Sequence, residues 1–235
     1  MAGRIAYYGN IVRDGLVLDL DAAKRDSYPG SGTSWRDIAG GVITGSLING
    51  PTFNSNNGGS IVFDGTNDLI IKNPPFTGLP SSQLSVFIWI KFNDLSAVYY
   101  ELVSQGRTPS NYEGEWVLTT KNVSSSIRLS FFDYNSGYGF NTVNGNTILV
   151  TNQWYHLGFI KNGTSGTFYV QGSQDGTSTG INKTYTDTGY VIGGGYRDSS
   201  HYLSGNIAST QIYNRALSTA EITQNYNATK GRFGL

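Results

Sequence analysis

Acid–base catalysis needs placed carboxylates, and this sequence offers few candidates. Its 235 residues include only four glutamates, which are Glu101, Glu113, Glu115 and Glu221. Hydrolysis of a glycosidic bond uses two carboxyl groups that flank the bond. Glu113 and Glu115 would share one face of a strand, but Gly114 between them is typical of a turn. We therefore predict that the protein is not an enzyme, and a hydrolase site at Glu113 and Glu115 is the less favoured alternative.

Other catalytic side chains are also scarce. The chain has no cysteine, which excludes disulfides, thiolate metal sites and thiol chemistry. His156 stands among apolar residues of a strand-like segment, so we expect it to have a structural role. His201 belongs to a polar segment and is open to a functional role. No strand-to-helix turn carries a nucleophilic serine.

Aromatic and polar side chains are concentrated in two turn-rich segments, residues 93–101 (NDLSAVYYE) and 194–202 (GGYRDSSHY). Sugars are held by aromatic faces together with a few polar groups, often on loops of a rigid scaffold. The candidate ligand-binding residues are Tyr99, Tyr100, Tyr112, Tyr196, Arg197, Asp198, His201 and Tyr202. Tyrosine and arginine are also enriched in protein interfaces. We predict that these residues bind a glycan or a protein, unless they are ordinary exposed residues of a glycine-rich β protein.

The surrounding segments read as short strands. Residues 15–22 (GLVLDLDA) alternate with period two, and residues 84–92 (LSVFIWIKF) are apolar on both faces, as in a central strand. Asp64-Gly65 predicts a hairpin within residues 60–72, and Asn162-Gly163 predicts a second hairpin. Ten or more such strands at regular spacing predict an all-β sandwich or barrel.

The C-terminal region contains the only convincing helix. Ser218 and Glu221 form an S-x-x-E capping box, which uses the Glu221 carboxylate. Leu217 precedes the cap and can pack on Ile222. Gly231 is a suitable residue to end the helix.

The charge pattern narrows the classes of partner. The formal net charge is zero and only 14% of residues are charged, whereas about a quarter is typical. The chain therefore lacks the basic surface that nucleic-acid binding needs. No apolar stretch approaches the ~20 residues that span a membrane, and the first residues lack a signal-peptide pattern. We expect no nucleic-acid partner and no membrane insertion.

The order of these segments resembles the laminin-G-like domains of the concanavalin A-like lectin/glucanase superfamily. The terminal IYNRALSTAEI is the most specific part of the likeness, which runs from about residue 14 onward. The resemblance implies a two-sheet antiparallel jelly-roll sandwich, all-β except for one short C-terminal helix. It implies a domain over residues 15–235, preceded by an arm at residues 1–14 that docks on a partner or packs on the same domain.

The resemblance also implies a calcium site. In the similar pentraxins, calcium ligands come from the two segments that match residues 93–101 and 194–202. The corresponding oxygen donors here are Asp94, Glu101 and Asp198, although Tyr196 and Arg197 stand where more acids would be needed. No other cofactor is implied.

Short single-domain chains of this type resemble proteins of tailed bacteriophages, where they are attached to capsids, tails or fibres. The resemblance implies a non-enzymatic virion structural protein, made in the host cytoplasm and assembled as a homo-oligomer with other virion proteins. Its outer loops would engage surface glycans. The alternatives are a free carbohydrate-binding module and, less favoured, a glycoside hydrolase.

Overall fold

The computed structural model describes residues 10–40, 44–72, 82–105, 116–135, 139–181, 185, 189–194 and 201–235. Within these ranges, the chain forms sixteen strands and one α-helix. The strands are β1 (Leu16–Asp21), β2 (Ser34–Arg36), β3 (Thr44–Ile48), β4 (Thr52–Asn54), β5 (Ser60–Asp64), β6 (Leu69–Lys72), β7 (Gln83–Phe92), β8 (Tyr99–Gln105), β9 (Trp116–Val123), β10 (Ser126–Asn135), β11 (Gly139–Asn144), β12 (Trp154–Asn162), β13 (Ser165–Val170), β14 (Ser173–Thr179), β15 (Tyr190–Ile192) and β16 (Ser204–Tyr213). The helix is α1 (Thr219–Thr229), and short 3-10 turns occur at Asn56–Gly58 and Lys230–Phe233.

The strands make two eight-stranded antiparallel sheets. The first sheet has the order β14-β13-β12-β7-β16-β5-β4, with β1 also paired to β16. The second sheet has the order β11-β10-β9-β8-β15-β6-β3-β2. The predicted two-sheet sandwich with one C-terminal helix is confirmed.

Strand β7 lies at the centre of the first sheet, between β12 and β16. Val86, Ile88 and Ile90 point into the main core between the sheets, whereas Phe87 belongs to a second apolar cluster beneath α1. Burying such a side chain stabilises the fold by roughly 1.5–3 kcal/mol. Two buried faces explain why this strand lacks polar alternation, as the sequence predicts.

Helix α1 begins at the predicted capping box. The Ser218 hydroxyl accepts a hydrogen bond from the Glu221 amide, and the Glu221 carboxylate accepts one from the Ser218 amide at 2.8 Å. The α-helix ends at Thr229 with Lys230 as its C-cap, just before the predicted stop at Gly231, and the chain continues as a 3-10 turn up to Gly234 (φ 73°). Arg232 and Phe233 pack against the first sheet and hold the chain coiled for this extra turn. Within the described ranges, no helix combines the length and the apolar character that crossing a membrane requires.

The predicted hairpin within residues 60–72 is wrong. Strand β5 pairs with β16 in the first sheet, whereas β6 pairs with β3 and β15 in the second. Phe63 and Ile70 both lie in the main core, so the chain buries both side chains by crossing from one sheet to the other. The Asp64 carboxylate caps this crossing by accepting the Thr66 amide at 2.7 Å.

The hairpin at Asn162-Gly163 is confirmed. Strands β12 and β13 pair from Leu157↔Val170 to Asn162↔Ser165. Gly163 has a φ of 61°, a conformation that glycine adopts without steric cost.

The segment that leads into β1 packs on the helix. Ile11 and Val12 are buried in the second apolar cluster. The Val12 amide donates to Asn225 Oδ1 at 2.8 Å, and the Tyr213 hydroxyl donates to the Val12 carbonyl at 3.1 Å. Residues 1–9 lie outside the described residues, so docking of the arm on a partner stays a prediction.

Candidate functional site

The two predicted loop segments meet at one end of the second sheet. The Glu101 amide donates to the His201 carbonyl at 3.3 Å. The rings of Tyr99 and His201 are edge-to-face with centroids 5.5 Å apart. The structure therefore brings Tyr99, Glu101 and His201 together. Four predicted site residues, Tyr112, Tyr196, Arg197 and Asp198, lie outside the described residues.

Tyr99 and Tyr100 face opposite sides of the sheet. Tyr99 is half-buried on the outer face, whereas Tyr100 is 3% exposed and belongs to the main core. The Tyr100 hydroxyl donates to Asp94 and accepts the Ala97 amide at 3.1 Å. Tyr100 thus supports the loop before β8 and does not offer its ring to a ligand.

Asp94 is bound within its own loop. Besides Tyr100, the Ser96 hydroxyl donates to its carboxylate at 2.8 Å. The hydrogen bond from Tyr100 is the main reason that the pKa of Asp94 lies below its usual value. Asp94 therefore stays ionised and fixes the loop geometry.

An aromatic patch lies on the outer face of the second sheet, formed by Tyr99, Lys121, Phe132 and His201. The rings of Tyr99 and Phe132 are 5.6 Å apart at 72°. The Lys121 ammonium lies 6.0 Å from the Tyr99 centroid and 5.8 Å from the Phe132 centroid. All four side chains are half-buried, so the patch combines ring surface, a cation and access to solvent.

Strand register explains how these rings meet. Tyr99 on β8 is opposite Lys121 on β9, and Phe132 on β10 is opposite Val117 on β9. The two side chains lean towards each other diagonally across β9, which brings their ring centroids to 5.6 Å. This arrangement agrees with the complete burial of Thr119, which lies between Val117 and Lys121 on the same face.

A polar row crosses the sheet beneath the patch. Glu101, Thr119, Ser130 and Asn144 are successive cross-strand partners on β8, β9, β10 and β11. The Ser130 hydroxyl donates to Asn144 Oδ1 at 2.7 Å, and the Thr119 hydroxyl donates to the Tyr100 carbonyl at 2.9 Å. Together these groups place a carboxylate, hydroxyls and an amide next to the aromatic rings.

A β-bulge in β8 adds one more polar group to this face. The register shifts between Glu101 and Val103, so Leu102 and Val103 both enter the main core. Glu101 and Ser104 therefore share the outer face. The Ser104 hydroxyl is 1% exposed and has no hydrogen-bond partner within the described ranges.

Tyr202 flanks the same end of the sheet. It is half-buried, and its ring lies against Gly194 just after β15. A Cβ atom at Gly194 would lie only 2.7 Å from Tyr202 Cδ1. The glycine thus allows Tyr202 to lie close to the backbone.

Two of the three implied calcium ligands, Asp94 and Glu101, lie within the described residues. The oxygens of Asp94 are engaged within the loop, Glu101 belongs to the polar row, and Asp198 lies outside the described residues. The described part of the chain contains no group of three or more histidine, aspartate or glutamate residues that could hold a metal ion. Calcium binding therefore stays a prediction.

His156 is part of the packing beneath α1. It is 1% exposed and lies between the rings of Phe87 (5.3 Å) and Trp89 (5.0 Å). Burial lowers the pKa of His156 to about 3, so the ring is neutral at ordinary pH. This position agrees with the structural role expected from the sequence.

Glu221 is engaged at the start of α1, away from the patch. Glu221 binds Arg215 through both carboxylate oxygens as well as the helix cap, and the Arg215 hydrogen bond is the main cause that lowers its pKa to about 2. Glu113 and Glu115 lie outside the described residues.

Lys121, Phe132 and the members of the polar row other than Glu101 were not among the candidates from the sequence. Alternation within residues 126–133 would place Ser130 and Phe132 on one face. The partner strand and its register could not be obtained from one segment alone, because they depend on the whole sheet.

Comparison with known proteins identifies the architecture. The family model described as "Concanavalin A-like lectin/glucanases superfamily" matches residues 53–223. No curated protein matches the sequence. The predicted concanavalin A-like jelly roll is therefore confirmed.

Several solved structures share the fold. The ligand binding domain of botulinum neurotoxin serotype D in complex with N-acetylneuraminic acid aligns with a TM-score of 0.69 at 15% identity, over 92% of this chain and 51% of that chain. The binding domain of Paraclostridial Mosquitocidal Protein 1 gives 0.69 and 15%, over 92% and 52%. The Trypanosoma rangeli sialidase in complex with sialic acid gives 0.64 and 14%, over 93% and 33%. This chain spans about half of each toxin chain and a third of the sialidase chain, and these identities show a shared fold alone.

Proposed function

Because this chain belongs to the concanavalin A-like lectin/glucanases superfamily, we propose that it is a non-enzymatic lectin-like module that binds glycans at the aromatic patch. In the same proposal, the module is displayed on a virus particle. The glycan-binding part rests on the geometry of the patch, and the virion part rests on the sequence resemblance.

The meeting of Tyr99 and Phe132 over the polar row carries the glycan-binding proposal. A sugar has one apolar face and a rim of hydroxyl groups. Half-exposed aromatic rings can cover the face, while fixed hydroxyl, amide and carboxylate groups can bind the rim. The patch supplies the ring surface and a cation at Lys121, and Asn144 at the end of the polar row supplies a half-buried amide. Thr119 and Ser130 are fully buried and support the sheet beneath the rings.

A non-enzymatic role is supported by the structural contacts of three described acid–base groups, which leave Glu101 as the one carboxylate of the polar row. Asp94 is engaged by its loop, Glu221 by Arg215 and the helix cap, and His156 by a buried aromatic cluster. These side chains stabilise structure and are not arranged as the pair of carboxyl groups that glycoside hydrolysis requires.

The attachment proposal comes from the likeness to short single-domain proteins of tailed bacteriophages. In this role, the protein is made in the host cytoplasm and assembles with capsid or tail proteins as a symmetric oligomer. Mass spectrometry of purified particles would test it, with recovery in high, symmetric copy number as the expected result. A soluble monomer that never enters particles would favour the second candidate, a free carbohydrate-binding module.

Glycan binding is tested by isothermal titration and array binding with Tyr99→Ala and Phe132→Ala. Each variant should bind at least about tenfold more weakly, since tenfold corresponds to about 1.4 kcal/mol. Phe53→Ala is the matched control, because Phe53 is also half-buried and pairs with Tyr28 at 5.5 Å, far from the patch. Equal loss in Phe53→Ala would contradict a role specific to the patch.

A further inference from the structure

We infer that the aromatic patch selects negatively charged glycans, meaning sugars that carry a carboxylate or a sulfate, through Lys121 and Arg128. This inference rests on the proposed glycan-binding function and adds the chemical class of the ligand. Neither residue was among the candidates from the sequence.

Two basic residues are direct cross-strand partners on the outer face of the second sheet. Tyr99, Lys121 and Arg128 are consecutive cross-strand partners on β8, β9 and β10. Both basic side chains are half-buried. Lys121 therefore places positive charge beside the half-buried ring of Tyr99, and Arg128 adds a second cation on the next strand.

Among the described residues, neither cation is paired with an acid. Within the part of the chain that the structure describes, Lys121 makes no ion pair, and its contacts are with the Tyr99 and Phe132 rings. Arg128 donates to the backbone carbonyl of Asn146 and also makes no ion pair there. Like charges directly opposite each other on a sheet are destabilising, and a bound anion would remove that cost.

The nearby carboxylates determine where an anion can bind. Asp94 is already engaged by Tyr100 and Ser96. Glu101 is opposite Thr119, one row away from Lys121 and on β8 rather than β10. Asp175 lies on the Arg128 side, but its carboxylate is buried and accepts the amides of Asn146 (2.9 Å) and Thr147 (3.0 Å). Negative charge on a ligand would therefore be placed between Lys121 and Arg128, on the side of the patch away from Glu101.

This placement defines a binding mode. The apolar face of a sugar ring stacks on Tyr99, and its acidic group lies between Lys121 and Arg128. An arginine fork can bind a carboxylate or sulfate through two parallel hydrogen bonds, while lysine acts as a point charge. Strands β8 and β10 are about two strand spacings apart, or about 10 Å, which accommodates a charged monosaccharide or a disaccharide.

The test compares lactose, 3′-sialyllactose and 3′-sulfolactose as probes in isothermal titration at low salt. The wild-type protein should bind at least one of the two charged sugars about tenfold more tightly than lactose. The two charged probes separate carboxylate from sulfate recognition. The preference should shrink as salt is raised, because salt screens exposed charges.

Lys121→Met and Arg128→Gln, singly and together, should weaken binding of the charged sugar at least about tenfold more than binding of lactose. Lys91→Met is the matched control, since Lys91 lies 5.7 Å from the Trp154 ring on the first sheet. Thermal melts verify that each variant is folded.

Two outcomes would distinguish failure of the inference on ligand charge from failure of the proposed glycan-binding function. If lactose binds as tightly as the charged probes, the inference on charge is wrong and the proposed glycan-binding function stands. If the folded wild-type protein binds no probe on a broad neutral and acidic glycan array, the proposed function itself fails.

Discussion

The guanidinium of Arg232 lies 2.9 Å from the carboxylate of Asp21, although the two residues are 211 positions apart in the sequence. Both side chains are buried. Arg232 also donates to the carbonyls of Asn57 (3.1 Å) and Gly59 (3.2 Å). One arginine of the terminal 3-10 turn therefore joins β1 and the loop before β5.

Arg232→Met should destabilise the protein strongly. Removing one partner of a buried ion pair leaves an uncompensated charge, at a cost of about 3–5 kcal/mol. Equilibrium urea unfolding measures the loss. Arg25→Met, at an exposed arginine with no ion pair within the described ranges, should change stability by less than about 0.5 kcal/mol. Similar losses in both variants would contradict the role assigned to the Arg232–Asp21 pair.

Gly158→Ala should destabilise the first sheet. A Cβ atom at this position of β12 would lie 2.1 Å from the Phe87 ring, and overpacking of this kind costs about 1–3 kcal/mol. Gly231→Ala is the control, because a Cβ there would meet no atom within 4 Å. Thermal unfolding should show a clear loss for Gly158→Ala only; an unchanged melting temperature would show that Phe87 moves aside freely.

Tyr100→Phe should weaken glycan binding severalfold without leaving a cavity in the main core. The ring stays, but the hydroxyl that binds Asp94 and the Ala97 amide is lost, at about 1–2 kcal/mol of stability. Tyr28→Phe is the matched control, because its buried hydroxyl donates to the Gly32 carbonyl at 2.8 Å. Both variants should lose similar stability, and only Tyr100→Phe should lose affinity. Equal glycan affinity in the two would show that the loop does not shape the patch.

His156 should make the protein sensitive to acid. Its pKa is about 3 in the folded protein, against an ordinary value of 6.5. Above about pH 6.5 the His156 ring is neutral in both the folded and the unfolded protein, so this group does not change the free energy of unfolding with pH. As the pH falls from 6.5 towards 3, His156 becomes protonated in the unfolded chain but stays neutral in the folded protein. The free energy of unfolding therefore falls by up to about 1.4 kcal/mol per pH unit.

Urea unfolding of the wild type and His156→Gln between pH 7 and 4.5 measures this effect. The wild-type free energy of unfolding should fall more steeply with decreasing pH than that of the variant. Glu221 and Asp94, whose pKa values are lowered in the folded protein, add their own dependence near the lower end of this range, but they do so equally in the wild type and the variant. Parallel curves would mean that His156 is protonated without cost.

The features that the sequence predicted correctly depend on local patterns. The capping box of Ser218 and Glu221 needs only four consecutive residues, and the two-faced burial of β7 shows directly as an apolar run. The hairpin at Asn162-Gly163 joins strands that are neighbours in the same sheet.

The features that it predicted wrongly or missed depend on distant partners. Asp64-Gly65 has the same turn chemistry as Asn162-Gly163, yet the strands on its two sides belong to different sheets. Strand β5 pairs with β16 in the first sheet, and β6 pairs with β15 in the second. Lys121 and Phe132 enter the patch through the register of β9 with β8 and β10. The 3-10 turn after α1 persists because Arg232 reaches Asp21 across almost the whole chain.

Residues 10–14 and α1 pack on the same face of the domain, and this determines which face a tethered domain would present outward. Both segments cover the outer face of the first sheet, around Phe87 and Tyr213. The aromatic patch lies on the outer face of the second sheet, and two packed sheets separate the faces by about 10 Å or more. A domain tethered through either of these segments would therefore turn Tyr99 outward, away from whatever carries it.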